Sequence, residues 1–404
     1  MLRRRTALLS AAAATFAVPA RAEKKYGPGV TDTEIKIGQT MPYSGNASAY
    51  GVAGRLHAAY FRMLNETQGG INGRKINFIS LDDGYSPPKT MELTRQLVER
   101  DQVLLMFYPL GTQTNTAIHK YMNQKKVPHL FLATGASKWG DPKNFPWTMG
   151  WQPDYHTECK IFGKHIVANH KDAKIAILRQ NDDMGNDYLS GFKEGLGAGW
   201  EKMVVADATY EVTDPTVDSQ ILQIKNSGAT LFMNITTPKF SAQSIKKVAE
   251  IGWKPIHYLV SVGASVGAVM RPAGIENAQG IVTAQFAKDV TDPRWATAPD
   301  YLEWKAFMDK WNPTANQLEG SNVSSYISVH GLVHVLKKCG DDLSRENIMR
   351  QAANIKDLEI PLLLPGIKVN TSPTNFYPIR AEQLARFEGD HWTLFGDLIS
   401  ADAG

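Results

Sequence analysis

The feature that most limits what this chain can fold into is an alternation of strand-like and helix-like segments, run through twice. From residue 34 onward, short runs rich in β-branched and aromatic residues alternate with stretches of helical spacing. In the first pass the strand-like runs are 34–41, 75–83, 103–110 and 127–134, and the helical ones 50–65, 89–100 and 116–125. The connector "GDPKNFPWTMGWQP" follows, broken by Gly and Pro, and the pattern restarts. The second pass has helices over 155–168, 186–197, 217–226 and 240–251, and strands over 174–180, 203–210, 230–236 and 256–262. Strands separated by helices of this length imply parallel sheets covered on both faces. The expected class is therefore α/β, with two doubly wound parallel-sheet lobes.

The fourth strand of each half ends in the same way. "VPHLFLATGAS" closes at Ser137 and "KPIHYLVSVGAS" at Ser265. Ligands of doubly wound sheets bind outside the carboxyl ends of their strands. Gly allows close backbone approach, Ala and Ser leave amides uncovered, and Ser adds a hydroxyl, a set suited to holding a carboxylate. The same residues also serve as ordinary turn formers. The repeat predicts two jaws facing one cleft.

Beyond "GIVTAQF" the chain has helical stretches at 299–311, 322–338 and 344–353, then two alternating runs around Glu388-Gly389-Asp390, a hairpin signal. These late segments imply that the chain crosses back between lobes more than once and builds a multi-segment hinge. The expected division is 31–149 with 287–355 in lobe 1, and 150–286 with 356–404 in lobe 2.

Residues 1–22 are read as a cleavable export signal: a start with Arg3, Arg4 and Arg5, a short Ala-rich apolar run, and Ala20-Arg21-Ala22. Arg4-Arg5 also fits a twin-arginine signal. Removing its four arginines turns 44 basic and 40 acidic residues into 40 of each, so the basic character belongs to the leader. The mature chain offers no charge argument for nucleic acid or anionic lipid, and no later run of about 18 apolar residues suggests a membrane span. It is expected in the periplasm. Its roughly 380 residues exceed a single core. Cys159 and Cys339 are the only cysteines; one disulfide is open to them, but two buried thiols on separate helices is the preferred reading.

The order of "TDTEIKIGQTMPYSG", "GGINGRKI", "LDDGYSPPKT", "VPHLFLATGAS" and "QNDDMG" resembles, over essentially the whole chain, the extracytoplasmic solute-binding proteins of ABC transporters in the leucine/isoleucine/valine-binding family, with a type I periplasmic-binding fold. The resemblance implies capture of a small solute between two lobes, hinge closure and delivery to a membrane permease by a monomer, without chemistry on the ligand, cofactor or metal. Tyr50 then matches the ring over the ligand, Gly111 and Thr112 the loop that grips its carboxylate, and Gly135, Ala136 and Ser137 the next loop. Met184 stands where the family's second-lobe "xYG" element has tyrosine, Thr236 falls near a later aromatic position, and Val262 lies where an acid pairs with an amino acid's ammonium. No acid stands within four residues of Val262. An enclosed ammonium without a carboxylate partner costs several kcal/mol, so the expected ligand is an aromatic or amphipathic carboxylate lacking the α-amino group, with a branched-chain amino acid as the alternative. Tyr85, Tyr108 and Trp151 are further aromatic candidates near strand ends or the connector.

Other chemistry is weaker. Gly263-Ala264-Ser265-Val266-Gly267 satisfies the G-x-S-x-G nucleophile elbow, with Asp289 or Asp292 and His330 or His334 downstream in the order of a secreted esterase. No His-Gly-Gly donor loop lies upstream, and the two histidines are spaced i, i+4 in an apolar helical run. Gly195, Gly197 and Gly199 end a helix where a dinucleotide fingerprint opens one. His119, His129, His156, His165 and His170 lack ligand spacing with acids, and the paired acids of "LDDGYS" and "QNDDMG" read as loop caps.

Overall fold

A computed structural model describes residues 24–401; the segment read as an export signal, residues 1–22, lies outside the described residues. Two sheets carry the fold. The first is five-stranded and parallel throughout, in the spatial order Lys75–Asp82, Glu34–Met41, Leu105–Phe107, His129–Leu132, Thr148–Gly150. The second runs Val204–Tyr210, Ile175–Gln180, Leu231–Ile235, Ile256–Leu259, Val282–Gln285 in parallel. It is then extended by the antiparallel hairpin Ala381–Glu388 and His391–Leu394. Each half thus repeats one strand order, second-first-third-fourth-fifth, so the two fourth strands are structurally equivalent.

Thr148–Gly150 is a fifth strand that the Pro- and Gly-broken connector hid: it has only three residues, and its pairing is announced by His129 N donating to Trp147 O at 2.8 Å. The paired acids act as the sequence indicated. Asp182 caps the helix Asp183–Leu196 through Met184 N and Gly185 N, and Asp82 accepts from Tyr43 N and Gly84 N. Cys159 and Cys339 are both buried free thiols. Among the described residues, no helix is long and apolar enough to cross a membrane.

The first core joins Ile35, Ile37 and Phe61 to Leu332 and Leu336, because the helix Gly320–Cys339 packs against Val52–Gln68 on the sheet. The second core gathers Ile175, Ile177, Phe192, Met233 and Tyr258. The chain passes between the two sheets' lobes three times. Trp151 belongs to the first and Tyr155 to the second; Ala284 returns to Ala287; Ile379 leads back to Leu384. One expectation is corrected here. Residues 356–404 do not travel together, since Ile360, Leu362, Leu364, Val369, Phe376 and Ile379 are buried in the first core and only the hairpin joins the second sheet. Lacking regular periodicity, that segment gave no sign of which core its apolar residues would enter.

Candidate functional site

The strand order brings the carboxyl ends of both sheets to one cleft, and a cavity of about 140 Å³ lies in it. Tyr50, Tyr85, Tyr108, Gly111 and Thr112 line it from the first lobe; Met184, Thr237, Ser261 and Val262 from the second. Residues 285–290, on the second crossing, form its hinge wall.

The first-lobe wall is built around the start of the helix Thr112–Gln124. Gly111, with φ of 101°, turns the chain into that helix; a Cβ there would lie 2.4 Å from Cε2 of Tyr85 and in a conformation that L-residues avoid. The first intrahelical bond of this turn is Asn115 N to Gly111 O, so the amides of residues 112–114 precede the ladder and face outward with the positive end of the helix dipole. Thr112 Oγ1 is 2.7 Å from Thr134 Oγ1. Tyr85 and Tyr108 both hold left-handed backbone, with φ of 61° and 55°, an arrangement bulky residues adopt at a cost and which clusters at functional sites. Burial pushes the phenols of Tyr50, Tyr85 and Tyr108 up, so all three stay neutral.

Facing this wall, Val262 O accepts from Tyr50 Oη at 2.9 Å, which ties the two lobes together across the cavity. Ser261 gives both of its donors to a carboxylate behind it: N to Glu158 Oε1 and Oγ to Glu158 Oε2, each at 2.7 Å. Its Oγ therefore keeps only acceptor capacity for the cavity. Burial holds the Glu158 carboxyl above the usual range, partly offset by the Ser261 bonds. Burial pushes Glu382 up further; neither of its oxygens has a hydrogen-bond partner, and Glu158 adds to the shift. Two acids approach the hinge end. Asp289 lines the cavity but accepts from Thr291 N, Thr291 Oγ1 and Trp392 N, and Glu319 caps the helix Gly320–Cys339 through Ser321 N. Among the described residues, Lys288 is the only cation in the wall, and it is paired with Asp300 at 2.6 Å.

Of the residues expected here, Tyr50, Gly111, Thr112, Met184 and Val262 come together around the cavity. Gly135, Ala136, Ser137 and Thr236 do not line it. Gly135 O accepts from Tyr155 N, and Ala136 is packed in the second core. Ser137 donates N and Oγ to the Asp187 carboxylate of the facing lobe, at 2.8 and 2.5 Å, and its carbonyl accepts from Tyr377 Oη. Thr236 turns inward to Asn234 Oδ1 and Ser241 Oγ, leaving Thr237 at the cavity: adjacent residues at a strand end point to opposite faces. Tyr85 and Tyr108 line the site, whereas Trp151 is core, 4.5 Å from the Phe131 ring. Tyr155, Thr237 and Ser261 went unforeseen; Ser261 lay inside the repeated strand tip, and the i, i+3 spacing of Tyr155 and Glu158 was the available sign of a helix reaching toward it.

The nucleophile-elbow residues do not form a relay. Ser265 Oγ accepts from Ala268 N, and Asp289 is held as above. His330 lies against Tyr60 and Tyr326, its Nε2 3.4 Å from Tyr60 Oη.

Residues 34–389 match the family of periplasmic binding proteins. A curated relative, Leu/Ile/Val-binding protein homolog 7 of Brucella suis biovar 1 (strain 1330), is 22% identical over 353 residues, covering 82% of this chain and 84% of its own. Among solved structures, a branched chain amino acid ABC transporter protein from Thermus thermophilus with bound valine superposes with a TM-score of 0.80 at 14% identity, covering 92% of this chain and 97% of that one. A solute binding protein of an ABC transporter from Rhodopseudomonas palustris BisB5, in complex with 3,4-dihydroxy benzoic acid, gives 0.77 at 20% identity, covering 92% and 98%.

Proposed function

Because the chain belongs to the periplasmic binding proteins, as a substrate-binding protein of the leucine/isoleucine/valine-binding type of ABC transporter family, we propose that it captures a small aromatic or amphipathic carboxylate, without an α-amino group, in the interlobe cavity. It does so as a monomer in the periplasm and hands the ligand to a membrane permease unaltered. Lobe 1 comprises 31–149 with 287–379, lobe 2 comprises 150–286 with 380–401, and the three crossings between them are the hinge. Closure is a shift of population toward the state in which both walls touch the ligand.

The observation that carries this reading is the pairing of a helix start with an uncharged wall. The ligand's carboxylate sits at the amides of residues 112–114, where the dipole favours an anion. Across the cavity, the position of the expected acid is Val262, whose carbonyl is already engaged by Tyr50. An ammonium there would be left short of a counter-charge at a cost of several kcal/mol. Tyr50, Tyr85 and Tyr108 supply ring faces, and the cavity volume of about 140 Å³ is close to the roughly 150 Å³ that encloses a benzene ring.

Thermal melting of the mature protein with benzoate, phenylacetate and 4-hydroxybenzoate against leucine, isoleucine and valine tests it. A ligand at a hundredfold excess over its Kd adds about 2.7 kcal/mol and raises Tm. Stabilisation by the ring carboxylates alone is expected. Stabilisation by the three amino acids alone supports the second reading, a branched-chain amino acid carrier, in which the ammonium turns to the hinge-side carboxylates Asp289 and Glu319.

A further inference from the structure

Behind the second-lobe wall, outside the lining of the cavity, lies a pair of buried acids. Glu158 stands on the helix Tyr155–Asn169, which begins where the first crossing ends; Glu382 stands on the strand Ala381–Glu388, where the third crossing ends. The two act on each other, Glu158 adding to the upward push on Glu382. Neither oxygen of Glu382 has a hydrogen-bond partner, and an unpartnered carboxylate in such a place costs far more than keeping the proton. Glu382 is therefore the neutral member of the pair.

Glu158 differs because donors reach it. Ser261 N and Oγ donate to its two oxygens, and Tyr188 Oη donates to Oε2 at 3.3 Å. Burial favours the acid and these donors the anion, and the balance pushes the carboxyl up to about 7. The other titratable groups around the pair are Asp154 at the start of the helix, Tyr155 and Cys159 on it, and Asp187 from the helix Asp183–Leu196. Arg380 shares a shallow surface pocket with Asp154 and Glu382.

Ser261, which lines the cavity, links Glu158 to the ligand. While Glu158 is ionised, the Ser261 hydroxyl proton points away from the cavity, toward the carboxylate, and a negative charge stands behind the wall. When Glu158 takes a proton the charge is gone. Its carboxylic O–H then donates to Ser261 Oγ, which frees the hydroxyl proton to turn to the cavity. Charge and hydrogen-bond sense change together, and both changes favour an anion in the cleft.

We propose that Glu158 is a positioning residue for capture, acting through Ser261, and that it takes up a proton as the lobes close on a carboxylate. The direction of the effect rests on the carboxylate reading above; the route through Ser261 does not. Affinity for an anion is highest below the titration of Glu158 and falls as pH rises through it. A ligand that brings a cation or a donor to Ser261 shows the opposite slope.

Calorimetry with benzoate and with leucine at about pH 5.5 and about pH 8.5, on either side of the Glu158 titration, reads that slope. Benzoate should bind the wild type about fivefold or more tighter at the lower pH. Its heat of binding at about pH 7 should vary with the ionisation enthalpy of the buffer, the mark of proton uptake. In Glu158→Gln, which fixes the neutral form, affinity at both pH values should match the low-pH wild type and the buffer dependence should vanish. Should that variant fail to give a cooperative melt, Tyr188→Phe removes a donor from the carboxylate and should carry the fall to higher pH. A flat wild-type profile, a slope that survives Glu158→Gln, as Asp289 or Glu319 would cause, or a fall that Tyr188→Phe leaves in place overturns the role of Glu158 while leaving the carboxylate reading standing. Leucine bound without benzoate, with an affinity that rises with pH and is levelled by Glu158→Gln, overturns the carboxylate reading and supports the role of Glu158.

Discussion

The two Gly-Ala-Ser tips are the same three residues at the end of the same strand of equivalent sheets, yet they have different occupations. In the first lobe, Ser137 is spent on Asp187 across the cleft and Gly135 lies under Tyr155, so that tip fastens one lobe to the other. In the second lobe, Ala264 and Ser265 line the cavity, while Ser265 caps a short helical turn and Ala264 O holds the Trp392 indole. Equal sequence and equal topology fix where a tip lies; the partner that the facing element brings fixes what it does. Asp187 comes from a helix of the opposite lobe; the acid facing Ser265 is Glu319, which caps the first-lobe helix Gly320–Cys339 and whose carboxyl the Ser265 hydroxyl holds down against the burial that raises it.

The comparison is tested most severely by placing an acid on the second tip. Val262→Glu should cost ring carboxylates about 3 kcal/mol or more, since it buries a like charge in the shared cavity, and should raise affinity for leucine; calorimetry with benzoate and leucine reads both, and an unaltered preference refutes the assigned role of position 262. The next effect concerns the acids behind that tip. Glu382 and Glu158 have folded values raised above the ordinary 4.5, so the folded chain keeps protons that the unfolded chain gives up. That contribution is fully present below pH 4.5 and is lost as pH rises through the raised values. His57 and His257, held neutral and lowered to about 3 by burial, act with the opposite sign and only below the ordinary 6.5. Denaturation of the wild type followed upward from about pH 6.5 should therefore lose stability with rising pH, and Glu382→Gln should flatten that slope. Equal slopes would remove Glu382 from the account, whatever Asp154, Cys159 and Tyr188 nearby contribute.

On the first tip, Ser137→Ala removes one bond to a carboxylate and should weaken every ligand by the same about 1 to 3 kcal/mol, because it loosens closure and touches no ligand; a loss confined to one ligand places Ser137 in the site after all. The smallest effect belongs to Ser265→Ala, which deletes the cap on Ala268 N and the hydroxyl beside Glu319 and should lower unfolding stability by about 1 kcal/mol or somewhat more in urea titration. Any esterase activity abolished by that change overturns the assignment of Ser265 to a structural cap.

Much of this architecture was legible in the sequence, because alternation of two periods is a local property. The eight regular strands of the two passes and the hairpin at Gly389 fall where the pattern indicated. Strand 148–150 was not legible, being too short to show alternation, and residues 355–379 gave no sign of the core they enter. At the site, Gly111 and Thr112 came from the family resemblance, while the periodicity placed the helix start at 116, four residues past its true beginning at Thr112. Ser137 was misplaced and Ser261 missed for one reason: their roles depend on Asp187 and Glu158, which reach them only through folding.

The three crossings bear on how the chain acquires its structure during synthesis. The helix Gly320–Cys339 and the stretch to Ile379 complete the hydrophobic interior of a lobe whose sheet is made of residues 34–150. The amino-terminal sheet therefore waits, partly uncovered, until the whole second sheet save its hairpin has been made, a long-range dependence that slows folding and favours holding the polypeptide unfolded. A fragment ending near residue 285 should expose apolar surface and aggregate, whereas the intact chain gathers both halves into order together.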